Sequence, residues 1–316
     1  MIAILSVLLT LVFGCRQGSE LAAEEVSGLQ NGEFTAELNG TNIFYAVHGS
    51  GPVLMALPNS WGLTHEGLRV MFGPLEEHLT MVYFDPRGMG RSAAIVSEDD
   101  MSMATIRADL DALRLHLGLG KVNVIGWSNG GFNLFLLAAN YPESVSSAIV
   151  LHSAANLSQE DLDLMKENHS ELFQKFKAFQ AEMTQGKFPE EEQNARMKDF
   201  VINEWFPYLF ADPEAGKEML KTFYEGVGFS WRHSAYANTV DTQNFDVRAA
   251  LPRISCPTLI IAGAHDMMAP ARVEEAHKAI AGSRFILFER SAHFAPVEEQ
   301  EKFVRAILDF IKGSGS

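Results

Sequence analysis

The sequence predicts an α/β fold: a mostly parallel sheet of eight strands wrapped by helices, with a helical cap inserted after the sixth strand. Three observations carry that expectation. Short apolar runs alternate with helix-period segments along most of the 316 residues, and several runs are continuous rather than alternating, as strands buried on both faces are. The alternation lapses only between Asn156 and about Val247, where the β signal vanishes and amphipathic helical patterns rich in Phe, Met, Lys and Glu take over. Residues 121–131 read K-V-N-V-I-G-W-S-N-G-G, a strand running through G-x-S-x-G into a helix.

The elements follow in order. Strands over 34–38 and 42–47 are joined by Asn39-Gly40, a dipeptide suited to a two-residue hairpin turn. Next come a strand over 53–57, a helix over 65–78, a strand over 81–84, a helix over 101–117 and the strand over 122–125. A buried helix over 130–140 stops before Tyr141-Pro142, and a strand over 148–151 precedes the insertion. After it, strands over 258–262 and 285–288 alternate with helices over 271–281 and 296–311. The core therefore spans 33–155 and 248–312, and 156–247 forms the cap. In α/β sheets ligands bind beyond the carboxyl ends of the strands, which is where the cap is expected to sit. Its Trp205, Phe206, Tyr208, Phe223, Tyr224 and Trp231 are read mostly as its own core, with a minority facing the pocket.

The N-terminus differs in kind. Residues 2–13 are an uncharged, largely apolar run, too short to span a bilayer comfortably, followed by a polar stretch. This predicts an export signal with linker over 1–32, hence a secreted, periplasmic or cell-envelope protein. Val12-Phe13-Gly14-Cys15 resembles a bacterial lipobox, which would lipidate Cys15 and attach the chain to a membrane. Cys256 is the one other cysteine and reads as a packing residue. A formal net charge of −15 argues against nucleic acid, whose phosphates demand basic patches. No H-E-x-x-H, paired Cys/His spacing, P-loop or G-x-G-x-x-G after a strand is present, so neither metal nor cofactor is expected.

A serine hydroxyl needs a base to activate it and a third group to fix the base's tautomer. In folds that hold a serine on such an elbow, the chain order is nucleophile, acid, histidine. Ser128, then Asp266 in G-A-H-D-M-M, then His293 in S-A-H-F supply that order, each just beyond a strand's carboxyl end. His265 beside Asp266 should point elsewhere, and His152 after the strand over 148–151 falls in the wrong chain order. An oxyanion needs two preorganised N–H donors: Asn129 as the residue after the nucleophile, and one from Pro58-Asn59-Ser60-Trp61-Gly62, with Ser60 the first choice and Trp61 the second. Trp61, Trp127 and Phe294 are the candidate pocket residues.

G-W-S-N-G-G, F-D-P-R-G-M-G-R-S over 84–92, the Asp266 loop and S-A-H-F together resemble the α/β-hydrolase superfamily over about residues 33–312, and within it the proline iminopeptidase-like hydrolases. The resemblance implies the cap position, an oxyanion donor at Ser60, and a bracing role for the loop of Asp85, Arg87 and Arg91. Where those relatives carry His-Gly-Gly-Pro, this chain carries Pro58, Asn59, Ser60 and Trp61. An aminopeptidase must also bind a free α-amino group through cap carboxylates, for which Glu204 and Glu225 are the candidates. The leading expectation is therefore a serine hydrolase of small carboxylic esters. Aminopeptidase action on short peptides is the alternative, and a catalytically silent binding protein on the same scaffold the third.

Overall fold

Side chains along the central strands fall on two apolar faces. Met55, Leu57, Val124, Ile260 and Ala262 join one core cluster, while Leu54, Ala56, Ile125, Leu259 and Ile261 join the other. A strand with both faces apolar needs a covering layer on each side. The computed structural model describes residues 28–157 and 159–314; the expected export segment and Cys15 lie outside the described residues.

Eight strands are formed: β1 (Gly32–Leu38), β2 (Thr41–Gly49), β3 (Val53–Leu57), β4 (Thr80–Phe84), β5 (Val122–Trp127), β6 (Val145–Leu151), β7 (Thr258–Gly263) and β8 (Arg284–Phe288). They pair in the order β1-β2-β4-β3-β5-β6-β7-β8. β3 to β8 are parallel, and β1 and β2 are antiparallel additions at one edge. The hairpin turns at Asn39 (φ 49°) and Gly40 (φ 76°) with Leu38 opposite Thr41, the left-handed pair that a two-residue turn matching the strand twist requires.

The covering helices are α1 (His65–Phe72), α2 (Met103–His116) and α3 (Asn129–Asn140). The insertion between β6 and β7 contributes α4 (Gln159–Asn168), α5 (Ser170–Met183), α6 (Glu190–Phe200), α7 (Pro213–Phe223) and α8 (Trp231–Tyr236). α9 (Pro270–Ala279), α10 (Ala295–Glu298) and α11 (Gln300–Ser314) complete the chain. Met103 and Leu110 of α2, Phe135 of α3 and Val273 of α9 cover one face of the sheet. Leu68 of α1 and Phe303 and Ile307 of α11 cover the other, together with Phe206 and Phe210 of the insertion. Among the described residues no helix is long and apolar enough to cross a membrane.

Two expected helices are shorter than their periodicity. The first ends at Phe72, and Gly73-Pro74 turns the chain into a 3₁₀ segment, Gly73–Glu77; proline lacks the N–H that would continue the α pattern. The last is split at Glu299 (φ −130°), whose carboxylate instead accepts the Arg290 amide at 3.0 Å and the Ser291 hydroxyl at 2.8 Å.

Candidate active site

β5 delivers Ser128 at a turn with no room for side chains. A Cβ on Gly126 would stand 2.5 Å from the Gly130 carbonyl oxygen, and one on Gly130 would stand 2.8 Å from that of Leu57. Ser128 itself holds φ 54° and ψ −121°, a conformation that surrounding structure must impose on a residue with a side chain. Its amide donates to the Leu151 carbonyl at 2.9 Å, and its carbonyl accepts the Ser153 hydroxyl at 2.7 Å. It also stands at the N-terminus of the 12-residue α3, where helix dipoles favour negative charge.

Asp266 and His293 meet on the same sheet edge. His293 Nδ1 lies 2.8 Å from Asp266 Oδ2, and Asp266 Oδ1 accepts the Met268 amide at 2.9 Å. An ionised carboxylate only accepts, so the His293 proton sits on Nδ1 and leaves Nε2 with a lone pair. The backbone of His293 is held from two sides: its N–H donates to Leu209 O of the insertion at 2.9 Å, and its carbonyl accepts the Trp127 indole at 2.8 Å.

A third side chain joins this pair. His152 Nδ1 lies 2.9 Å from the same Asp266 Oδ2. Burial alone would raise the Asp266 carboxyl; the charge of His293 and hydrogen bonds from both imidazoles outweigh it and hold the group well below the usual carboxylate range. His152 is pushed the other way, below its ordinary value, by burial that its bond to Asp266 only partly offsets.

The expected oxyanion loop is engaged with the elbow. Ser60 N–H donates to Asn129 Oδ1 at 2.8 Å and the Ser60 hydroxyl lies 3.1 Å from the same oxygen; Asn129 Nδ2 is buried with no partner. Asp241, in the turn Ala237–Asp241 of the insertion, accepts the Met103 amide at 3.2 Å, meets the Ser60 hydroxyl, and has its carboxyl raised by burial. Asp85 accepts the His65 amide at 2.8 Å and its Nδ1 at 2.9 Å, while Arg87 forks onto Asp109 at 2.8 and 2.9 Å. Asp85 thus braces the start of α1 and Arg87 ties the same loop to α2, so both charges are spent on protein partners.

A cavity of about 230 Å³ opens at the elbow, with Ser128, Asn129, His293, Asn59, Trp61 and Trp127 in its wall. The insertion closes it with apolar side chains, among them Met165, Phe173, Phe176, Trp205 and Phe206. Asn238 and Thr242 are its polar contribution, and both donate to carbonyls of their own turn, at 2.8 and 2.9 Å. No described lining residue carries a carboxylate. Phe294 is not in this wall; it is fully buried and stacks on Phe210, 4.6 Å between ring centroids. Glu204 pairs with Lys175 at 2.9 Å on the outer surface, and the Glu225 carbonyl holds Lys198. Ser60, between Asn59 and Trp61, is not itself part of the wall.

The family model described as alpha/beta hydrolase fold matches residues 53–300. The chain is an α/β hydrolase. It is 25% identical over 265 residues to the proline iminopeptidase of Clostridioides difficile, covering 83% of this chain and 90% of that protein. Among solved structures, an alpha/beta fold family hydrolase of Bacillus anthracis superposes with a TM-score of 0.71 at 21% identity, over 89% of this chain and 99% of that one. A thermophilic esterase of Thermogutta terrifontis gives 0.67 at 22% identity, over 90% and 100%.

In this hydrolase three ligand-type atoms of His152, Asp266 and His293 lie within 4.8 Å of one another. The hydrogen bonds already use Nδ1, Oδ2 and Nδ1, so a cation there would have to displace both imidazole protons. His152 and Asp241 are the site residues that chain order did not single out. The available signal for His152 was its place one residue past a strand end; its closeness to Asp266 comes from β6 lying beside β7.

Proposed function

We propose that this hydrolase cleaves small carboxylic esters through an acyl-enzyme. Ser128 attacks the carbonyl, His293 Nε2 takes its proton and returns it to the leaving alcohol, and Asp266 holds the imidazole in the Nδ1–H tautomer. Asn129 N–H and Ser60 N–H stabilise the oxyanion, the Ser60 donor exchanging the Asn129 amide oxygen for the substrate's. The observation that carries the ester reading is the cavity wall: aromatic and thioether side chains around the serine, with no carboxylate among its described residues. Its volume, about 230 Å³, falls below the roughly 300–1,000 Å³ of sites that bury drug-sized ligands, which favours a short acyl group.

Aminopeptidase action is the second reading, favoured by the likeness to a proline iminopeptidase. A free α-amino group would enter an apolar wall uncompensated, which is costly for a charge. The test is turnover of a p-nitrophenyl acyl ester against prolyl and alanyl p-nitroanilides, beside labelling by a fluorophosphonate probe. Ester turnover well above amide turnover, with labelling lost in Ser128→Ala, is expected. Comparable amide turnover overturns the ester reading, and an unlabelled wild type favours a silent binding protein. The apolar leader ending in Cys15 supports export and lipid attachment; palmitate incorporation in cells that survives Cys15→Ala would sink the second part.

A further inference from the structure

His152 is wholly buried, and it takes no part in the proton path from Ser128 through His293. Its place is nonetheless tightly defined. It follows β6 directly, with φ 53°, the left-handed region that a side chain beyond glycine rarely enters without local support. Its N–H donates to the Ile261 carbonyl of β7 at 2.8 Å. That backbone twist turns the ring toward the loop after β7, where Nδ1 reaches Asp266 Oδ2 at 2.9 Å, beside His293 at 2.8 Å. The two imidazole centroids stand 5.2 Å apart. Because the carboxylate only accepts, both rings carry their proton on Nδ1, and His152 Nε2 is left as a buried lone pair without a partner. A protonated Nε2–H⁺ there would be a charge with nothing to bond, so the ring stays neutral as a fixed donor.

We propose that His152 is a positioning residue that divides the Asp266 charge between two imidazoles, locking the carboxylate's orientation and keeping His293 a weaker base than a single-partner carboxylate would make it. The roles of His293 and Asp266 in this statement rest on the serine-hydrolase reading above. With Oδ1 held by Met268 N–H and Oδ2 by two ring N–H groups, the carboxylate cannot rotate without breaking a bond. The donor from His152 lowers the electron density that Oδ2 offers an imidazolium at His293. Other charged groups facing His293 are few. Glu298 of α10 spends its carboxylate on the Ala211 and Ala292 amides. The residues of β5 and the insertion beside His293, namely Trp127, Ser128, Phe206 and Leu209, carry no charge.

The test is ¹⁵N-histidine NMR of the whole protein, joined to the pH profile of ester kcat/KM, for wild type, His152→Phe and His152→Asn. The phenyl ring removes the donor, whereas the Asn amide restores an N–H near the Nδ1 position. His152→Phe is expected to raise the His293 midpoint and the lower limb of the profile together, by roughly 0.5–1 unit, with His152→Asn returning both toward wild type. An unmoved His293 midpoint in a folded His152→Phe, or an Asn variant that behaves like Phe, overturns the proposal. If His152→Phe does not fold, the wild-type spectrum decides: a His152 ring protonated at Nε2, or one titrating between pH 5 and 8, also overturns it. Because the NMR midpoint is read without substrate, absence of ester turnover would sink the ester reading while leaving this test intact.

Discussion

The sheet and the inserted helices hold the site from opposite sides, and they are built differently. On the sheet side the polar groups are buried and mutually bonded: Asp266 between two imidazoles, Asp85 on His65, Arg87 on Asp109. Apart from Asp241, which turns in toward Ser60, the insertion's ion pairs lie outward, such as Lys175–Glu204 and Arg196–Glu192 whose members are about 40% exposed or more, and it turns aromatic rings and methionines inward. Exposed pairs contribute little to stability, whereas buried, bonded groups cannot lose one member cheaply. On the proposed function, chemistry falls to the buried, bonded side and substrate fit to the apolar one.

The largest break in that contrast should come from the buried pair. Asp266→Asn offers His293 an amide that can force the wrong tautomer, and kcat for the ester should fall by about 10⁴-fold; a loss under tenfold would remove Asp266 from its assigned role. Truncation should then separate the two sides by stability. Phe303→Ala, from a fully buried ring in the sheet's covering layer, should cost about 3–5 kcal/mol in denaturant unfolding. Phe176→Ala, from the half-buried cavity wall, should cost markedly less and change the acyl-chain preference instead. Equal stability losses would erase the distinction.

Acid should act next. His152, His233 and His48 are all held below the ordinary value of 6.5 by burial. Each takes up its proton more readily in the unfolded chain, so stability is full above about pH 6.5 and declines as pH falls below it. Asp266, with its carboxyl depressed, adds stability that is present above 3.8 and lost only further down. Thermal unfolding between pH 8 and 5 should show the decline, and a flat Tm across that range would contradict it. The smallest effect belongs to the outer pairs: Lys175→Ala should leave both the denaturant midpoint and ester kcat unchanged, because water and salt screen an exposed pair.

The same contrast explains what was legible in the sequence. Runs such as residues 53–57 and 259–262 are apolar at every position because both faces are covered, and the strands formed match the expected ones to within three residues at either end. Ser128, Asp266 and His293 follow strand ends in chain order, so periodicity alone could place them on one edge. His152 follows a strand end too, but its relation to Asp266 comes from β6 lying beside β7, with Leu151 opposite Ile261. Lateral pairing of that kind leaves no mark along the chain. Phe294 looked like a wall residue from its place after His293, yet its ring turns inward onto Phe210, a partner distant in sequence. The break at Glu299 was hidden because the apolar spacing continues across it, whereas Gly73-Pro74 carried a breaker signal that the continuing apolar spacing outweighed in the expected helix.

The hydrogen bond from His293 N–H to Leu209 O joins the insertion, which shapes the pocket, to the imidazole proposed as the base. A shift of the insertion wide enough to admit a bulkier acyl group strains the tether of the imidazole. On the proposed ester chemistry, size selection and reactivity are geared together: a substrate that forces the roof upward detunes the base beneath it, so poor fit is penalised in rate as well as in affinity.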